Sequence, residues 1–483
     1  MKLKNKKLLT GKAYIGGQWL DGAKRFEVTN PANGEVVAEV ADLDRTDVRA
    51  AIAAAEGALP AWAAKSAKER AAFLRTWFDL IVENADDLAV ILTAEQGKPL
   101  FESRGEVVYG ASFLEWFGEE GKRVYGDMIP SNVPGSRMMV LKQPIGVCAT
   151  ITPWNFPSAM ITRKVGPALA AGCTMVSRPA SQTPLSATAL AVLAEEAGIP
   201  PGVFNVIPGT DARGAGAELC ENEAVRKLSF TGSTEVGRIL MKQCADSIKK
   251  ISLELGGNAP FIVFDDADID AAVDGAMICK FRNAGQTCVC ANRIYVQDGV
   301  YDEFAEKLAA KIKALKIGDG AEEGTDIGPM IDEAGMQKAQ EHIADAVEKG
   351  AELVTGGQPH EAGELFFEPA MLTGVTKDMQ VATDETFGPV APLFRFTDEA
   401  DVIAQANDTI YGLASYFYAK DNARIWRVSE ALEYGMVAVN KPILSTEVAP
   451  FGGIKQSGIG REGSRYGIDE YLEMKYVLMG GLD

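Results

Sequence analysis

Histidine is almost missing from this chain of 483 residues, which has two, His342 and His360. Both fall in polar segments and read as exposed side chains. A hydrolase that needs imidazole as its base therefore has almost no candidate. Positive charge is also short: 48 Lys and Arg face 67 Asp and Glu, a formal net charge of −19. Such a surface repels nucleic acid and anionic membranes. No apolar run is long enough to span a bilayer, and the basic start from Met1 to Lys7 lacks the apolar stretch of a secretion signal. The seven cysteines are odd in number and irregularly spaced. They suit reduced thiols in a cytoplasmic protein better than a disulfide framework, and no Cys/His cluster has metal-ligand spacing.

What is present is 47% apolar residue content over a length that suggests two or three domains. A short hairpin is expected around Ala13–Trp19, with a turn at Asn30–Gly34. Helical patterning starts at Asp44, and Ser66 with Glu69 reads as a capping box before Phe73, Leu74, Trp77, Leu80 and Ile81. These helices, punctuated by Gly97-Lys98-Pro99, are expected to be packing elements. Arg137 to Lys142 reads as a strand leaving the helical region, a candidate arm that pairs with another subunit. Short apolar runs then alternate with helices: Val147–Thr152, Thr174–Val176, Val203–Ile207, Lys227–Phe230, Ile251–Leu255 and Phe261–Phe264. This is the rhythm of an open parallel sheet whose βα connections carry ligand contacts. A second α/β stretch runs from Ala267 to Ala449, and the tail from Ile468 to Gly481 reads as an outward-pairing strand.

The stretch Phe281-Arg282-Asn283-Ala284-Gly285-Gln286-Thr287-Cys288-Val289-Cys290 stands out. A cysteine after Gly-Gln-Thr suits an exposed polar loop carrying a nucleophile of lowered pKa, although an isolated Cys also serves as a small buried hydrophobe. Glu254 lies on the apolar strand before Gly256-Gly257, where burial would raise its pKa toward that of a useful base. Asn155, held between Trp154 and two prolines, could donate its amide to an oxyanion. Phe230-Thr231-Gly232-Ser233-Thr234 lies between strand and helix. It either seats a pyrophosphate or simply caps the helix through Ser233 or Thr234. Gly209–Gly216 departs from the usual dinucleotide fingerprint, and Asp265-Asp266-Ala267-Asp268 reads as a helix cap rather than a cation site.

Six ordered stretches together resemble the aldehyde dehydrogenase superfamily: Pro153–Pro157, Phe230–Gly237, Glu254–Asn258, Gly285–Cys288, Glu385–Pro389 and Pro450–Lys455. The resemblance runs nearly end to end. It implies an α/β fold with a Rossmann-type cofactor domain at 1–122 and 142–253, a catalytic domain at 254–449, and a β arm at 123–141 and 468–483. That arm would serve a homodimer or homotetramer. The resemblance also implies a mechanism in which Cys288 is the nucleophile, Glu254 the base, Asn155 the oxyanion donor and Lys164 part of a proton relay. Trp154, Arg178, Ser181, Gly232, Ser233, Glu385 and Phe387 would line the cofactor site.

Within the superfamily the chain most resembles succinate-semialdehyde dehydrogenases, through Ile161–Lys164, Gln286–Arg293 and Gly460–Ser464. A substrate carboxylate wants an arginine fork, and Arg163, Arg282 and Ser445 match that role, the arginines otherwise serving as structural ion-pair partners. A glutarate-semialdehyde or broader short-chain aldehyde dehydrogenase is the alternative, and a non-catalytic protein of the same fold a further one. Arg178 stands where the family usually has Lys, and Ser181 where NAD-selective members often carry an acid. Together these favour NADP over NAD. Asn440-Lys441-Pro442 departs from the usual glycine-containing loop near the substrate. Cys290, two residues from the nucleophile, is a candidate partner in a reversible disulfide.

Overall fold

The computed structural model describes residues 1–482. Two parallel-rich sheets organise them. The first has eight strands, and its central part runs Lys250–Glu254, Val225–Thr231, Val147–Ile151, Thr174–Arg178 and Phe204–Val206, all parallel. Gly458–Ile459 closes one edge antiparallel, and the hairpin Ala13–Ile15/Gln18–Leu20 closes the other. All five of these central strands match the expected apolar runs to within two residues. The reason is physical: a strand covered by helices on both faces is apolar throughout.

Strand order gives this sheet its function. From Val147–Ile151 the chain winds outward through Thr174–Arg178 and Phe204–Val206. It then returns to the other side of Val147–Ile151 as Val225–Thr231. The crevice beyond the carboxyl ends of Val147–Ile151 and Val225–Thr231 is thus the topological switch point, where open α/β sheets bind ligands. Trp154, Asn155, Gly232 and Ser233 all lie just past those ends.

The second sheet has seven strands, ordered Glu352–Thr355, Ala370–Thr373, Val390–Phe396, Ala291–Gln297, Ala259–Val263, Ala414–Tyr418 and Met436–Val439. All its pairs are parallel except the first. Its own core is continuous from Ala259 to Phe451. The helix Ile269–Phe281 leads from this sheet into the Cys288 segment, which then enters the strand Ala291–Gln297.

Arg137–Pro144 pairs antiparallel with Leu472–Met479 on one side and Asp127–Ile129 on the other. The expected arm strand therefore finds partners within its own chain. The tail strand starts later than its alternation suggested, because Gly467–Tyr471 forms a short 3-10 turn. The capping boxes at Asp44/Asp47 and Ser66/Glu69 are both formed. Among the described residues no helix is long and apolar enough to cross a membrane.

Candidate active site

The loop carrying Asn155 is set by charges that hydropathy would have placed at the surface. Helix Ala159–Ala171 has no side-chain cap of its own. Its first free N–H groups, those of Ser158 and Ala159, donate instead to Glu106 Oε1 at 2.9 and 3.2 Å. Glu106 Oε2 holds Lys98 Nζ at 2.7 Å, and that ammonium also donates to Asn155 O at 2.6 Å. Lys98 further sits 3.9 Å from the centre of the Phe156 ring. Both side chains of the pair are out of contact with water, at 0% and 1% exposure. Burial pushes the Lys98 pKa down, and the charge of Glu106 opposes that shift. The helices expected to serve only for packing thus grip the loop of Asn155. Glu106 shares the buried stripe of its helix with Ser103, Val107 and Gly110. An acid at that register was the one signal of its role.

The nucleophile segment is buried rather than exposed. Of Phe281–Cys290, all but Arg282 and Cys288 are shielded from solvent. It is also strained, since Asn283 and Ala284 hold φ of 51° and 53° without being glycine. A knot of hydrogen bonds holds that shape. Glu102 Oε2 accepts the Asn283 N–H at 2.9 Å, and Gln96 Nε2 donates to Asn283 Oδ1 at 3.0 Å. Asn283 Nδ2 donates to Asn155 O and Gln286 O at 3.2 and 3.3 Å. Asn155 Nδ2 reaches Gln286 O as well, at 3.1 Å. Two glycines are required by space. A Cβ on Gly257 would lie 2.3 Å from the Cys288 carbonyl oxygen, and one on Gly285, at φ 74°, 2.3 Å from Gly388 O.

Cys288 opens onto a cavity of about 520 Å³ whose walls include Phe156, Met160, Phe281, Val289, Ile327 and Phe451. Burial pushes the thiol up to about 12, and the carboxylates of Glu385 and Glu254 add to this against Arg163 and Arg282. The lowered pKa expected of the nucleophile is therefore absent from the free protein. The loop is too desolvated to supply it, and two acids face the sulfur. Glu254 ends the strand Lys250–Glu254 at 3% exposure, with neither carboxyl oxygen hydrogen-bonded. Burial holds it well above the carboxylate range, and the neighbouring charge of Glu462 adds to the shift.

The two candidate arginines are placed differently. Arg163 is 1% exposed, its guanidinium lying between the Phe113 and Phe451 rings at 5.4 and 4.1 Å. Its Nε faces Glu462 Oε2 at 2.5 Å, while Nη2 has no partner. It is thus an ion-pair partner with one unpartnered nitrogen, and it also lines the cavity. Arg282 is half-buried over Phe156 at 5.4 Å and lines the same cavity with Ser445. Lys164 is not in that wall; it pairs with Glu462 and donates to Ser229 Oγ at 3.0 Å. Cys290 is 1% exposed, and Lys280 Nζ donates to its sulfur at 3.3 Å. A bridge to Cys288 would have to break that contact.

At the switch point the buried hydroxyls of Thr152 and Thr231 have no partner. Ser233 caps the helix Thr234–Ala245 by accepting from Val236 N–H. Nearby, Glu385 Oε1 accepts the Gly257 N–H at 2.9 Å, and partial burial raises its pKa to about 7. Trp154 meets Phe387 edge-on at 5.6 Å. Arg178 Nη2 donates to Gly209 O at 3.0 Å, and Ser181 is half-buried beyond it. A helix N-terminus, unmet hydroxyls and a fixed carboxylate fit a dinucleotide. His342, expected at the surface, is 3% exposed and meets Oγ1 of Thr386, the neighbour of Glu385, at 3.1 Å.

Three comparisons bear on this arrangement. Residues 19–477 match the family model described as the aldehyde dehydrogenase family. A glutarate-semialdehyde dehydrogenase of Pseudomonas aeruginosa is 63% identical over 100% of both chains. An NADP(+)-dependent succinate-semialdehyde dehydrogenase of Escherichia coli is 64% identical over 99% of this chain and 100% of its own. Among solved structures, an aldehyde dehydrogenase of Brucella melitensis superposes with a TM-score of 0.98 at 65% identity, covering 99% of each chain.

Two outcomes follow from the site itself. Alkylation of Cys288 by iodoacetamide in the free protein should keep accelerating as pH rises to about 10, because the raised pKa leaves the thiol protonated at neutral pH. A plateau near pH 8.5 would contradict the burial argument. Breaking the buried pair with Glu106→Gln should cost about 3–5 kcal/mol and lower both the thermal midpoint and kcat. The double replacement Lys98→Met/Glu106→Leu should recover the midpoint in calorimetry but not kcat. Recovery of both would mean the pair does not hold Asn155.

Proposed function

The chain belongs to the aldehyde dehydrogenase family, and from that premise we propose that it oxidises succinate semialdehyde to succinate, with NADP as the preferred oxidant. The observation that carries the substrate is the cavity itself. Cys288 shares its lining with Arg282, Ser445 and Arg163, and Arg163 Nη2 has no partner in the protein. A buried cation with an unmet donor in an otherwise apolar cavity suits a ligand with a carboxylate at the end away from its aldehyde. The 64% identity to the succinate-semialdehyde dehydrogenase of Escherichia coli supports the same reading. Glutarate semialdehyde is the second reading, favoured by the 63% identity to the Pseudomonas aeruginosa enzyme.

The Cys288 thiol adds across the aldehyde carbonyl, its sulfur bonding to carbon and its proton passing to the carbonyl oxygen, giving a thiohemiacetal whose oxygen faces the Asn155 amide. Asn155 can serve because its loop is fixed from behind by Lys98 and Asn283. A nicotinamide dinucleotide, when bound, supplies the two-electron acceptor that turns this adduct into a thioester. Its pyrophosphate would lie at Ser233 and Gly232, its nicotinamide end by Glu385, Phe387 and Trp154, and its adenosine by Arg178 and Ser181. Glu254 then takes a proton from the water that hydrolyses the thioester. Only the ionised carboxylate can take that proton: the charges of Arg163 and Lys164 favour this form, and burial makes it the stronger base once formed. Lys164 and Glu462, bonded to each other behind Arg163, offer that proton a way out.

NADP is favoured because Ser181 brings no negative charge to repel a 2′-phosphate and Arg178 brings a positive one. The sheet around Val147–Ile151 is the cofactor domain in this reading, and the sheet around Ala291–Gln297 the catalytic one. The exposed faces of Arg137–Pro144 and Leu472–Met479 join copies of the chain.

Replacing Arg282 by Ala should lower kcat/KM for succinate semialdehyde by roughly 10- to 100-fold, the equivalent of about 1.5–3 kcal/mol for a hydrogen bond to a charged group. For butanal the loss should be far smaller. An equal loss on both aldehydes would assign Arg282 to the fold.

A further inference from the structure

The cavity contains one more donor that nothing above has used. Tyr109 lies on the helix Leu100–Glu120 and lines the same cavity as Arg163, Arg282 and Ser445. Its ring is half-buried and meets Phe113 edge-on at 5.1 Å, and the other contact of Phe113 is the Arg163 guanidinium at 5.4 Å. That chain of contacts fixes the direction of the phenol. The hydroxyl oxygen is shielded from water and has no hydrogen-bond partner in the protein. It lies near Ser445, close enough for a weak interaction with that hydroxyl, and within the field of Arg163 and Arg282.

A buried phenol is ordinarily satisfied, so an unmet one facing a cavity marks a place for a ligand atom. Arg163 has one guanidinium nitrogen in the same condition. The two residues line the cavity with Ser445, and an ionised carboxylate offers two oxygens with about four acceptor positions.

We propose that Tyr109 donates its hydroxyl hydrogen bond to the terminal carboxylate of the substrate, and so acts with Arg163 to select aldehydes that carry an anion at the far end. This rests on the carboxylate reading of the cavity. Tyr109 is a specificity residue, distant in role from Cys288: the charges felt by its hydroxyl are those of Arg163, Glu462 and Arg282. A site built to bond such a group rejects analogues that lack it, because its own donors are then left unmet.

The test is the ratio of kcat/KM for succinate semialdehyde to that for butanal, in the intact enzyme and in Tyr109→Phe. Losing one oxygen should lower the ratio about tenfold, the equivalent of about 1.4 kcal/mol. Tyr109→Gln, which restores a donor without the ring, should recover part of it. A ratio that stays the same in Tyr109→Phe, while the intact enzyme prefers the carboxylated aldehyde, overturns the role of Tyr109 alone. An intact enzyme without that preference overturns the carboxylate reading and this proposal with it. If Tyr109→Phe fails to fold, Tyr109→Leu, which also removes the hydroxyl donor, decides: a retained ratio overturns the proposal and a lowered one supports it.

Discussion

An ammonium and a carboxylate buried together, Lys98 and Glu106, are the constraint on which the reactive centre depends. Neither is tolerable in the interior alone, and each is made tolerable by backbone groups that need a partner: two N–H groups at a helix start and the carbonyl of Asn155. Breaking the pair would release the helix that carries Arg163 and the loop that carries Asn155. One side-chain pair thus sets both the Asn155 loop and the start of the helix that brings Arg163 to the cavity.

The same logic extends across to the second sheet. Asn283 sits in a left-handed conformation that costs energy, and its side chain is held by Gln96, the Asn155 carbonyl and the Gln286 carbonyl. Strain of this kind persists only where neighbours over-determine it, and it clusters at functional sites. Here its effect is to bring Cys288 from one sheet against the Asn155 loop from the other. Gly257 permits the final approach, since only a residue without Cβ fits beneath the Cys288 carbonyl.

Much of this was legible in the sequence, for identifiable reasons. The parallel strands announce themselves because helices cover both faces. Ser66 and Glu69 give a capping box in both views because the motif is local. Asn155, Glu254 and Cys288 stand in short motifs whose order is distinctive. What local reading misses is long-range. Lys98 and Glu106 look like surface charges until the helix packs, and Asn283 gives no sign of a left-handed backbone without the glycines that usually mark one. The thiol environment was also misjudged, because small polar neighbours suggest exposure and here they are buried by Gly257 and Asn155. His342 was misread for a different reason. Its helix buries Ala339, Ile343 and Ala346, and at helical spacing His342 belongs to that same stripe.

A cavity that joins Cys288 to cationic and hydroxyl donors should select an aldehyde by the anion at its other end. The most direct measurement is the initial rate of cofactor reduction by the unmodified protein with succinate semialdehyde and with butanal, each with NADP and with NAD. The account predicts a kcat/KM at least about tenfold higher for the carboxylated aldehyde, a difference of about 1.4 kcal/mol, and a higher rate with NADP. Equal values for the two aldehydes would contradict it, and would return Arg163 and Arg282 to purely structural roles.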